Sequence, residues 1–306
     1  MQQLEPTYLR YVYDGLSKGT LSSNNPTSLP IGFIGLFEDE FPSSMPLVER
    51  MSILSRLTLW ALLIGPVSIE MVAEVLNEHP DNTKALMDRY SKWFNTPEPG
   101  KYVLYHDRLR TYLLQKLSDH ELEDLNETLI NYLENALSSE GLKEAESYAL
   151  EHLSTHLAIE SQMGNNYERL NNFVNQEDLW KRQISTSNEY KWSQRAVHYA
   201  IKEGARRHDE MNTLASTVNS VKLMQDEENN VNQIFDILNE GDYQTAIERV
   251  LFFNGQKLIT ICLLMINELL INEKQPDDYK SKVYNEVLEI FKKNDIEENN
   301  QNETDS

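Results

Sequence analysis

The stretch Lys101 to Leu117, read KYVLYHDRLRTYLLQKL, changes from a strand-like run to a helical one with a single histidine at the join. Tyr102, Val103, Leu104 and Tyr105 are strand formers, and they follow a turn signal at Pro99-Gly100. From Asp107 onward, Leu109, Tyr112, Leu113 and Leu117 recur at helical spacing. Lys116 falls near the end of that run, where a positive charge suits the helix dipole. A strand therefore delivers His106 to the start of an amphipathic helix. The imidazole there has two readings, an N-terminal cap or packing residue on one hand and a hydrogen-bond donor to a phosphate on the other.

The segments ahead of this strand read as helices. Leu4 to Leu16 places Tyr8, Leu9, Val12 and Leu16 on one side, and after a loop at Ser22 to Ser28 a second helix opens at Leu29-Pro30 with Phe33, Ile34, Phe37 and Phe41 at core spacing. Leu47 to Ile64 repeats apolar residues at Ile53, Leu54, Leu57, Trp60, Ala61 and Ile64 and stops at Gly65-Pro66. Ser68 suits the cap of a helix from Ile69 to Leu76, and Asp81 or Asn82 the cap of a third that carries Leu86, Tyr90, Trp93 and Phe94 inward. Three helices followed by a strand and a helix predict a winged helix over residues 46–118, in which a small β-wing folds back on a helical core. The third helix carries Lys84, Asp88, Arg89 and Lys92, a mixed set that reads as a solvated face and not as a DNA reader.

Beyond Leu117 the pattern is helix after helix, so the fold class is mainly α. Leu122, Leu125, Leu129, Leu133 and Leu137 mark one helix and Ala145 to Ile159 another, within a connector assigned to residues 119–189. His152 and His156 are four apart and share a helix face. That is the spacing of a two-histidine metal site, but Leu153, Ser154 and Thr155 leave no general-base Glu between them, and a structural role is the competing reading. Residues 190–294 read as a helical-hairpin array, similar to tetratricopeptide repeats, with Gly204, Gly241 and Gly255 as punctuation. Gly241-Asp242 opens a helix with Tyr243, Ala246, Ile247, Val250 and Leu251 on one face. The next helix is almost wholly apolar from Leu258 to Leu264, which predicts that it is sandwiched between neighbours. Residues 295–306 hold Asp295, Glu297, Glu298, Glu303 and Asp305 with no basic residue, which predicts a disordered acidic tail.

With 28 Lys and Arg against 49 Asp and Glu, the net charge of -21 argues against nucleic acid and anionic membranes as partners. The single cysteine, Cys262, lies among Ile261, Leu263 and Leu264, so no intramolecular disulfide can form and the chain fits a reducing, cytoplasmic compartment. With no histidine near it in sequence, Cys262 reads as structural and not as a nucleophile. No basic n-region and apolar h-region opens the chain, and the longest apolar run is shorter than the roughly 20 residues a bilayer needs. Neither a GxxxxGK[ST] phosphate loop nor a G-x-S-x-G elbow occurs. The expectation is a protein that is not an enzyme on its own and holds no cofactor or metal of its own.

The ordered set LEPTYLRYVYDGLSKG, LPIGFIGLFEDEF, LTLWALLIGPVSIEMVAEVL, KYVLYHDRLRTYLL and YALEHLSTHL resembles the region that follows the nucleotide-binding domain in NACHT and related STAND signalling ATPases. The resemblance covers Leu4 to about Leu157. It implies that residues 1–45 correspond to the helical domain after the NACHT domain, followed by the winged helix and a helical sensor region that binds protein partners. It also implies that His106 matches the winged-helix histidine that contacts the β-phosphate of bound ADP and holds the resting state. The chain departs from the family in lacking the phosphate loop and the Mg-binding acidic motif. ATP or ADP is thus expected only where a P-loop NTPase domain is joined to it or supplied by a second chain. The alternative reading is a stand-alone helical-repeat scaffold for protein–protein interaction.

Overall fold

β3 (Lys101–Leu104) is the middle strand of a small antiparallel sheet and sets the geometry of the first part of the chain. The structure is a computed structural model that describes Tyr13, Ser17, Gly35, Phe41 and residues 45–138, 142–163, 166–253, 255–271 and 275–304. The two helices expected over Leu4 to Leu16 and from Leu29 lie almost wholly outside the described residues. Described helices dominate, and none is long and apolar enough to cross a membrane. The chain divides into two compact units, residues 1–145 and 146–306.

In the first unit, α1 (Leu47–Leu62) buries Leu57, Trp60 and Ala61 and leads into β1 (Val67–Ser68). Ser68 ends the strand and caps α2 (Ile69–Val75), its Oγ accepting the Met71 N–H at 3.1 Å. α3 (Pro80–Arg89) begins earlier than expected. Pro80 takes the first helical position, where its missing N–H costs nothing, and the cap is the imidazole of His79, whose Nδ1 accepts the Asp81 N–H at 3.3 Å, so Asp81 and Asn82 lie inside the helix. α3 also ends sooner than the apolar spacing suggests: Ser91–Trp93 form a 3-10 turn and Phe94 opens β2 (Phe94–Glu98). Gly100 turns β2 into β3 with φ +78°, a conformation that favours glycine.

The strand order is β1-β3-β2, with Val67 opposite Tyr102 and Phe94 opposite Leu104. Pro97 is tolerated because β2 is an edge strand. Beneath the sheet lies an aromatic core in which Phe94 meets Trp60 edge-on at 5.1 Å and Tyr90 packs on Trp93 at 4.9 Å and on Phe41 at 6.0 Å. α4 (Asp107–Leu114) returns across α1 and seats Leu109 and Leu113. α5 (Asp119–Ser138), expected in a separate connector, packs against α1 and α2, and its Tyr132 hydroxyl donates to Glu74 at 2.5 Å. It therefore belongs to the first unit.

α6 (Lys143–Met163) carries the chain into the second unit, followed by α7 (Tyr167–Val174), α8 (Glu177–Ser187), α9 (Lys191–Arg206), α10 (Glu210–Glu240), α11 (Tyr243–Val250), α12 (Gly255–Ile271) and α13 (Asp277–Thr304). α9 and α10 form the most extensive helix pair, with α7 against both. Gly204 is not punctuation but sits within α9, 1% of its neighbour Glu203 being exposed, at a point of close approach between helices. A Cβ there would overlap the hydroxyls of Tyr167 and Thr213. Gly241, at φ +95°, does end α10, and Asp242 caps α11 by accepting the Thr245 N–H at 3.1 Å. Ile234, Leu238, Val250, Ile261, Met265 and Val283 anchor a core shared by the last four helices. α13 continues to Thr304, where composition predicts a disordered tail, and the run after Pro276 contains neither glycine nor proline to stop it.

α12 also departs from expectation. One side is buried through Leu258, Ile261, Cys262 and Met265, while Leu263, Leu264, Leu270 and Ile271 are exposed, so the helix is not sandwiched on both sides among the described residues.

The close approach at Gly204 makes a testable demand. Gly204→Ala should lower the unfolding free energy by about 1–3 kcal/mol in a urea titration, because the added methyl forces Tyr167 or Thr213 aside. An unchanged midpoint would mean that α7, α9 and α10 do not meet as described.

Candidate functional site

His106 occupies the residue between β3 and α4 and is half-buried. Its backbone is extended, and its ring turns back over the helix start so that Nδ1 accepts the Arg108 N–H at 3.0 Å. The first amides of a helix have no partner within it, so a side-chain acceptor at this point stabilises the helix by about 0.5–2 kcal/mol. The His106 carbonyl accepts the Leu109 and Arg110 N–H groups at 3.0 and 3.2 Å. One residue earlier, the Tyr105 N–H donates to the Trp93 carbonyl at 2.8 Å and extends the pairing of the hairpin up to the cap.

This geometry assigns the ring's proton. A neutral imidazole that accepts through Nδ1 carries its hydrogen on Nε2. The cap is thus present, and one ring combines it with a donor nitrogen, which is the chemistry a phosphate oxygen requires. Arg108 and Asp107 follow it on the exposed start of α4, while Arg110 turns inward and donates to the Leu62 carbonyl at 3.3 Å.

His152 and His156 do share a face of α6, and the structure adds the residue that organises them. Tyr148, a further turn back, meets both rings, tilted against His152 at a centroid distance of 4.7 Å and stacked on His156 at 6.0 Å, and its hydroxyl lies 3.1 Å from His156 Nε2. His156 is fully buried. Burial, aided by the Arg195 guanidinium, pulls His152 down to a pKa of about 4, and the Glu151 carboxylate 3.7 Å from its Nε2 does not offset them. Among the described residues no group of three or more His, Cys, Asp or Glu is arranged to hold a metal ion. The pair packs as part of an aromatic–imidazole stack.

Cys262 lies fully buried on α12, and burial alone pushes its thiol up to about 11, which keeps it protonated near neutrality.

Sequence spacing gives no hint of a second polar centre where α6 ends beside α9. Glu203, 1% exposed, accepts from Arg206 Nε at 2.8 Å and from the buried Ser161 hydroxyl at 3.3 Å. The Ser161 carbonyl accepts from Arg206 at 3.0 Å and from Arg207 at 2.6 Å. Residues from two distant helices make this cluster, so only the fold brings them together. A further buried relay joins Gln183 to the Leu150 carbonyl at 2.7 Å and to the Ser193 hydroxyl at 2.8 Å. Both clusters tie α6 to the helices after it.

No protein-family model, no curated protein and no solved structure matches this chain.

The lowered pKa of His152 fixes a sign. Between about 6.5 and 4 the unfolded chain takes up a proton at this ring that the folded chain refuses, so its stabilising contribution is complete above 6.5 and is lost as pH falls toward 4. After allowance for solvent screening the loss is on the order of 1–2 kcal/mol. In urea titrations at pH 7 and pH 4.5, His152→Gln should lose less stability on acidification than the unaltered chain. Equal losses would contradict a neutral, buried His152.

Proposed function

We propose that residues 46–118 form a winged helix and that the chain is the non-catalytic regulatory portion of a STAND-type, NACHT-like signalling ATPase in the cytoplasm. The observation that carries the reading is the order helix, short strand, two helices and β-hairpin, with sheet order β1-β3-β2 and His106 at the exit of the last strand. In a winged helix the hairpin is the wing. The resemblance of the sequence to the region after a NACHT domain supplies the functional half of the reading, since no phosphate loop occurs in the 306 residues.

The mechanism follows from the two nitrogens of one ring. Nδ1 holds the start of α4, and Nε2–H offers a donor to the β-phosphate of ADP held by a nucleotide-binding domain carried elsewhere. A single donor that bridges two domains makes their closure depend on which phosphates are present. The α9–α10 pair and the helices after it act as a tetratricopeptide-like array that binds a protein partner and biases that closure. The exposed apolar residues of α10 and α12 favour, as a second reading, a stand-alone scaffold for protein partners.

The test separates the cap from the donor. The full chain is titrated by calorimetry with the P-loop protein encoded immediately upstream, loaded with ADP or with a non-hydrolysable ATP analogue. Association is expected with the ADP form. His106→Asn preserves a capping acceptor but removes the Nε2 donor, so it should leave the melting temperature nearly unchanged and weaken association about tenfold. Absence of any such neighbouring protein, or no association in either nucleotide state, would contradict the regulatory reading.

A further inference from the structure

α9 stands apart from the rest of the chain in its charge. Residues 190–208, YKWSQRAVHYAIKEGARRH, hold five Lys and Arg against one acid, Glu203, in a chain of net charge -21. Glu203 is buried and already bound by Arg206, so it neutralises only that guanidinium. Arg195 and Arg207 donate to the neutral carbonyls of Glu151 and Ser161, which leaves their charges uncompensated. Lys191, His198 and Lys202 are exposed and have no bonded partner among the described residues.

Helical geometry gathers these groups on one face. Lys191, Arg195, His198, Lys202 and Arg206 follow at intervals of four, three, four and four residues. They form a row roughly 22 Å long on the side of α9 opposite the buried Ser193, Ala196 and Ala200. Arg195 and Arg206 reach toward α6, so the outermost part of the row is Lys191, His198 and Lys202.

α10 supplies a second edge. It runs antiparallel to α9, with Thr213 against Gly204 and Asp226 bonded to Tyr190. Thr217, Val221 and Met224 lie four, eight and eleven positions after Thr213, so they continue the side of α10 that borders α9, and Val221 and Met224 are 48% and 60% exposed. Acids flank this stretch, at Asp209 and Glu210 before it and from Asp226 onward, and none falls within residues 211–225.

Together the two edges select a partner. Uncompensated cations beside apolar side chains fit a ligand with carboxylates on one edge and apolar groups on the next, which describes an acidic amphipathic helix. In an antiparallel pairing, carboxylates four and then seven residues apart on the incoming helix meet Lys202, His198 and Lys191 in turn. A polyphosphate backbone matches the charge but not Val221 and Met224, and beyond the row it meets the acidic remainder of the chain.

We infer that the outer face of the α9–α10 pair is a docking surface for an acidic amphipathic helix of a partner protein. The inference deepens the reading of these helices as a protein-binding array and rests on that reading, in its regulatory or its scaffold form.

The full chain is titrated by calorimetry with a synthetic helical peptide of about 18 residues that carries glutamates at this spacing and leucines on the neighbouring edge. Binding is expected with a dissociation constant on the order of 10 to 100 μM, weakening about tenfold between ~50 and ~300 mM salt. The same peptide with Gln for Glu should bind at least about tenfold more weakly. Lys202→Glu should weaken binding of the acidic peptide about tenfold. Lys222→Glu makes the same change of charge nine positions from Thr213, on the opposite side of α10, and should leave binding within about twofold. Both lysines are exposed, so both variants should keep the helical circular dichroism of the unaltered chain. Equal losses in the two lysine variants, or tighter binding of a deoxythymidine oligonucleotide of matched charge, would overturn the inference. Equal binding of the Gln and Glu peptides would overturn it while leaving the array a peptide-binding one, and binding of neither would overturn both.

Discussion

The pairing of β3 with strands on both sides is the constraint on which the first unit depends. A four-residue strand gains little by itself, but held between β1 and β2 it fixes where the backbone leaves the sheet. That exit point is His106, and its ring completes the transition by accepting the Arg108 amide, one of those stranded at the start of α4. Upstream, Ser68 does the same for α2 while its N–H and hydroxyl donate to the Glu144 carboxylate at 2.9 and 2.6 Å. Both strand-to-helix passages among the described residues are therefore closed by a side chain that replaces a missing backbone partner.

Much of this was legible in the residues. The turn at Pro99-Gly100, the strand after it, the Ser68 cap and the breaks at Gly65-Pro66 and Gly241-Asp242 all rest on local chemistry, where the side chain itself dictates the backbone. The structure departs from local spacing where tertiary context decides. Tyr90, Trp93 and Phe94 follow helical spacing, yet Phe94 is drawn into an edge strand because Leu104 pairs with it across the hairpin. His79 is not a residue usually expected as a cap, but Pro80 behind it makes it the last residue before the helix. The reach of α5 onto α1 and α2 is a long-range contact that no periodicity records.

The candidate sites show the same division. The four-residue interval of His152 and His156 does put them on one face, but Tyr148 converts that face into a stack, and a tyrosine at a further four-residue step carries no signal until the burial is seen. For His106 the position was readable and the orientation of the ring was not. On α10, Ser216 and Asn219 are buried while Leu214 and Val218 are exposed, a direction that residue spacing alone does not set.

The account stands on one ring performing two tasks, an acceptor at Nδ1 and a donor at Nε2. The direct measurement is a long-range nitrogen–proton correlation spectrum of the His106 imidazole at neutral pH, assigned by comparison with His106→Asn, together with the exchange rate of the Arg108 amide. The account predicts the tautomer protonated at Nε2, with an Arg108 amide protected from exchange relative to its neighbour at Asp107. A ring protonated at Nδ1, or an unprotected Arg108 amide, would contradict it.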